Sequence, residues 1–76
     1  LKNRQELEAL LTAVSLKSDK DLQTSAARIE TRKKAGELSE TAYNDLQTII
    51  ASAKKHEWAE AVKLAYDFRE NRPYFD

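Results

Sequence analysis

Only two residues in this 76-residue chain can break a helix unaided, Gly36 and Pro73, and there is no other Gly or Pro. A backbone so poor in turn formers has few ways to reverse direction, and everything between the breaks has to be tested against helical spacing first. Leu7, Leu10, Leu11 and Val14 stand at i, i+3, i+4 and i+7, which puts them on one face of a helix over about residues 2–14. Asn3 and Glu6 have the spacing of a capping pair at its start. Ser18 and Asp21 repeat that spacing and open a second helix with a thin apolar stripe of Leu22, Ala26 and Ile29. Gly36 ends it, because the residue just past a helix adopts positive φ and only Gly does so without steric cost.

Ser39 is the expected N-cap of a third helix, with Glu40 at the positive end of its dipole and Leu38 and Tyr43 placed as a hydrophobic staple. Ala42, Leu46, Ile49, Ile50 and Ala53 form its buried face. A fourth helix over about residues 57–70 carries Trp58, Ala61, Val62, Ala65 and Phe68 on one side, which places Trp58 and Phe68 in the core. Pro73 lacks an N–H and disfavours helical angles at Arg72, so this helix stops before it. Between helices three and four no Gly or Pro intervenes, and the residues near Lys55 and His56 read either as a short polar turn or as a partial merger of the two helices. No stretch alternates as a strand would. The expected fold is all-α: a small bundle of four short, mostly antiparallel helices in one domain over residues 1–76. The chain begins at Leu1 and not at Met, so a fragment of a longer protein is expected.

Charge and composition narrow the function classes. Thirteen basic residues balance thirteen acidic ones, which is unlike the excess of positive charge in a dedicated nucleic-acid binder. The halves differ only slightly, with eight basic and six acidic residues over 1–38 and five and seven over 39–76. Cys is absent, which removes disulfides and thiolate metal sites. His56 is the only His and reads as a turn residue, since Glu57 and Glu60 point to different sides of the helix. No serine has a nucleophile-elbow context and no Gly-rich loop exists to cradle phosphate, so neither an enzyme nor a cofactor is expected.

Two groups of residues remain as candidate binding sites. Arg28, Arg32, Lys33 and Lys34 form one basic cluster, either a contact for nucleic acid or an acidic partner, or a solvated helix end whose cations complement the dipole. The cluster has no interleaved aromatic residue of the kind that stacks on single-stranded bases. Tyr74 and Phe75, beyond Pro73, either fold back as a clasp or anchor another chain, and Tyr66, Phe68, Tyr74 and Phe75 together are the candidate partner-binding residues.

The segment Gly36-Glu37-Leu38-Ser39, followed by Leu46, Ile49, His56, Trp58, Ala61 and Leu64, resembles a known family without gaps over residues 36–68. That family is the C-terminal helical domain shared by the large outer-layer subunit of the COPII vesicle coat and the steroid receptor RNA activator protein. The resemblance implies a protein–protein interaction module. On the coat side it implies a scaffold role in ER-to-Golgi vesicle budding and protein transport, docking other coat subunits in the cytoplasm at ER exit sites. On the activator side it implies transcriptional co-regulation in the nucleus. An RNA-binding helical domain using Arg28, Arg32, Lys33 and Lys34 is the third reading. The family also implies a fifth helix after the fourth, covering a groove formed by helices two to four. Here Leu7, Leu10, Leu11 and Val14 are expected to pack on Leu46, Ile50 and Val62 instead, leaving a patch near Tyr66, Phe68 and Phe75 for a partner or a second copy.

Overall fold

A computed structural model describes residues 1–76 and contains four α-helices: α1 (Asn3–Ser15), α2 (Asp19–Lys34), α3 (Glu40–Lys54) and α4 (Trp58–Asn71). A short 3₁₀ turn over Pro73–Phe75 follows. There is no strand, and each helix packs on its neighbours in the chain while α4 closes back on α1. None of the helices is long and apolar enough to cross a membrane.

Local chemistry sets most of the boundaries. Ser18 Oγ accepts the Asp21 N–H at 3.1 Å and Ser39 Oγ accepts the Ala42 N–H at 3.2 Å, which caps α2 and α3 as the spacing predicts. Arg72 is extended ahead of Pro73, and α4 stops there. At the start of α1 the prediction is corrected. The flanking residue is Lys2, which makes no side-chain cap bond, and Asn3 and Glu6 lie inside the helix with both side chains turned into the protein.

The three corners share one hydrogen-bond pattern. After α2, Gly36 has φ +75°, its N–H donates to the Lys33 carbonyl at 3.1 Å, and the Glu37 N–H donates to the Arg32 carbonyl at 2.8 Å. This pair of bonds closes a helix around one left-handed residue. The same two bonds recur after α1 around Lys17, with φ +54°, and after α3 around His56, with φ +59°. The residues near Lys55 and His56 therefore form a short turn, and helices three and four do not merge.

The core is continuous through all four helices. Leu7, Leu10, Leu11 and Val14 are buried as predicted, with Leu22 and Ile29 from α2 and the whole predicted face of α3. From α4, Ala61, Ala65 and Phe68 are buried at i, i+4 and i+7, with Val62 half-buried beside them. The tail resolves as a clasp. Phe75 is fully buried in the same cluster, and the turn that carries it packs against α1 and α4. Trp58 departs from prediction: it is half-buried and only leans on the core. The turn at His56 ends α3 so late that Trp58 becomes the first residue of α4, over the corner, with no preceding turn of helix to cover it.

Candidate functional site

The two ends of the bundle use their polar residues in opposite ways. The end that carries Gly36, the chain start and the tail is knitted together by side chains that a linear reading assigns elsewhere. Asn3, almost fully buried, accepts the Ser39 N–H through Oδ1 at 3.1 Å, while its Nδ2 donates to Ser39 Oγ at 3.2 Å and to the Tyr74 carbonyl at 3.1 Å. One amide thus ties the start of α1 to the cap of α3 and to the clasp. Tyr74 completes the tie by donating its hydroxyl to Asp45, which also accepts Arg72 Nε at 3.3 Å. Loss of hydration, then the bond to Asp45, raises the Tyr74 hydroxyl above its ordinary pKa. On α3, Tyr43 is raised in the same direction, first by its hydrogen bond to Glu30 and then by burial.

The predicted basic cluster lies beside this tie, and its two arginines both reach one carboxylate on α1, Arg28 from an exposed position and Arg32 from a half-buried one. Glu6 is fully buried, and its Oε2 accepts Arg28 Nη2 at 3.0 Å and Arg32 Nε at 3.1 Å. Arg32 also donates Nη1 to Glu37 Oε1 at 3.1 Å, so Glu37 first and Glu6 second hold its guanidinium more firmly protonated. Removing the cations while leaving Glu6 in place would strand a buried carboxylate, which is strongly unfavourable. Lys33 lies over the Tyr43 ring at 5.6 Å, and of the four residues only Lys34 extends into solvent without a partner of this kind. The signal for this network was the spacing of Arg28 and Arg32 with Glu6 on a neighbouring helix. No sequence rule says which helix faces fall opposite one another.

The predicted partner-binding residues are also dispersed. Phe68 and Phe75 are core residues with no free surface to offer, and Tyr74 is half-buried in its bond to Asp45. Only Tyr66 is well exposed, with the Arg69 guanidinium over its ring at 4.8 Å. The four do not form one patch.

The opposite end is open. A groove of about 900 Å³ runs between the end of α1 and the start of α4. Its apolar lining comes from buried Val14, half-buried Val62 and Trp58. Lys17 stands on one side, and Glu57 and Glu60 stand on the other. None of these three charged residues has an ion-pair partner within the chain. Next to Lys17, Leu16 projects with 66% of its surface exposed. His56 stacks on Trp58 with ring centroids 5.4 Å apart and planes 16° apart, and its Nε2 lies 3.0 Å from Asp19 Oδ1. That pair is solvent-exposed and adds little stability. No three His, Asp or Glu side chains converge on a point anywhere in the chain. Glu57 makes no side-chain capping bond, so the first N–H groups of α4 have no such partner.

Comparison with protein-family models, with curated proteins and with solved structures finds no match.

Proposed function

We infer that this chain is a protein–protein interaction module that works by binding and not by catalysis. The observation that carries the reading is the contrast between the two ends. At the Gly36 end Glu6, Arg28, Arg32 and Glu37 pair with one another, leaving Glu6 Oε1 as one buried oxygen without a partner, whereas the groove end leaves Trp58, Val62 and Leu16 partly uncovered beside unpaired Lys17, Glu57 and Glu60. Half-covered apolar side chains rimmed by polar ones are the ordinary make-up of a binding surface.

Within that class the proposed role is that of the COPII outer-layer subunit's C-terminal domain, a scaffold module that docks other coat proteins during vesicle budding from the ER. Support comes from the resemblance over residues 36–68, where Gly36 and Ser39 form the helix stop and start that the resemblance turns on. The steroid receptor RNA activator, a nuclear co-regulator, is the second reading, and His56 with Trp58 at the groove supports it. The RNA-binding reading is the weakest of the three, because Arg28 and Arg32 are already held by Glu6.

Calorimetric titration of the chain against purified COPII subunits tests the coat reading. A Kd of about 1–100 µM that rises roughly tenfold in Val62→Glu is the expected result. No heat with any coat subunit overturns the coat role and transfers the proposal to receptor co-regulation, which a hormone-dependent reporter assay then reads.

A further inference from the structure

We propose that the groove end is a self-complementary surface that pairs two copies of this chain about a two-fold axis. The inference deepens the reading of the chain as an interaction module and rests on it. It starts from the arrangement of charge. Lys17 belongs to the α1–α2 corner on one side of the groove, and Glu57 and Glu60 belong to the start of α4 on the other. None of the three has an ion-pair partner within the chain, so each is available to a second copy. A two-fold axis through the groove sets each side against its opposite on the second copy, so Lys17 of each copy meets Glu57 and Glu60 of the other. Both contacts are attractive.

The apolar groups follow the same logic. Leu16, exposed and next to Lys17 in the chain, lies outside the groove lining, which includes Val14, Val62 and Trp58. A rotation that brings Lys17 to the α4 side also brings Leu16 to Trp58 and Val62, which covers a projecting side chain and an open groove in one step. The formal net charge of zero leaves no long-range repulsion to keep the copies apart. The surface is small, with fewer residues than the roughly 20–30 a side of a stable interface, so a Kd of about 0.1–1 mM is expected.

Amide NMR spectra of the intact chain, recorded from dilute solution up to about 2 mM, read this association directly. Resonances of Leu16, Lys17, Trp58 and Val62 are expected to move together with concentration, while those of Asn3, Ser39 and Tyr74 stay fixed. Lys17→Glu alone, and Glu57→Lys with Glu60→Lys, are each expected to weaken the association at least about tenfold, with circular dichroism verifying that both variants fold. An equimolar mixture of the two is expected to recover it, because every inter-copy contact in the mixed pair is again between opposite charges. Spectra that do not change with concentration, changes confined to the Gly36 end, or a mixture that stays monomeric each overturn the proposal. Retained binding to a coat subunit in a chain that does not self-associate removes this inference alone and leaves the interaction-module reading standing.

Discussion

The corner at Gly36 and the corners at Lys17 and His56 make the same turn with different residues, and the difference separates the two ends of the molecule. At Gly36 the left-handed backbone carries no side-chain penalty, and nothing lies within 4 Å of the position a Cβ would take. Around it Asn3, Glu6, Arg28, Arg32, Ser39 and Tyr74 bond to one another across the start of α1, both ends of the α2–α3 corner and the tail. At the far end two non-glycine residues hold the same conformation at a cost of about 1 kcal/mol each, and Trp58 and Val62 beside the groove stay half-buried. One end is arranged for stability, and the other retains strain and open surface of the kind that collects at binding sites.

The strongest way to break that contrast is to truncate one aromatic residue from each end. Phe75→Ala removes a fully buried ring from the clasp and is expected to cost about 3–5 kcal/mol in urea denaturation. Trp58→Ala removes a half-buried ring from the groove and is expected to cost about 1–2 kcal/mol. Equal losses from the two would mean that both ends are core.

The buried carboxylate gives a second test. Replacing both Arg28 and Arg32 with Ala strands Glu6 without a cation and is expected to lose about 3 kcal/mol. Adding Glu6→Leu to that variant removes the stranded charge and is expected to restore most of the loss. A double arginine variant as stable as the parent would return these side chains to the list of free binding residues.

Smaller effects come from the corners themselves. Gly36→Ala is expected to destabilise by about 1 kcal/mol, since the added methyl meets open space and only the backbone angle resists it. Lys17→Gly is expected to stabilise by about 0.5–1 kcal/mol, and His56→Gly by less, because it also gives up the stack on Trp58 and the contact with Asp19. Thermal melts of the three variants should order them in that way. Unequal signs for Lys17→Gly and His56→Gly would show that the groove depends on the His56 stack.

The mildest expectation concerns alkali. The hydroxyls of Tyr43 and Tyr74 are both raised, so above pH about 10 the unfolded chain binds fewer protons than the folded one and stability falls as pH rises. Tyr74→Phe should flatten part of that fall in denaturation curves taken between about pH 9 and 11, and an unchanged slope would show that Tyr74 titrates as it does in the unfolded chain.

What could be read along the chain was local. Ser18, Ser39, Gly36 and Pro73 act on atoms within four or five residues of themselves, and each does in the structure what its chemistry predicts. The apolar faces of α1 and α3 were legible for the same reason, because a helical repeat is a property of consecutive residues. Asn3 and Glu6 matched a local template equally well, and their true partners, Ser39, Tyr74, Arg28 and Arg32, lie between 22 and 71 residues away. The corners at Lys17 and His56 carried no glycine to announce them, although tertiary packing holds both in the conformation that Gly36 adopts freely.

The groove belongs to the same class of outcome. Its residues come from the end of α1 with its corner and from the start of α4 with its corner, far apart in the chain, and no feature of either segment alone marks them as neighbours. The sequence by itself determined an all-α chain, its approximate helix bounds and the buried faces of α1 and α3, since capping, turn chemistry and the 3.6-residue repeat act over one or two turns of backbone. Only the tertiary structure decided that Glu6 takes both arginines, that Phe75 closes the core and that Trp58 stays at the rim. Those outcomes depend on which faces meet once four helices pack together, and that is settled by the fit of the whole core.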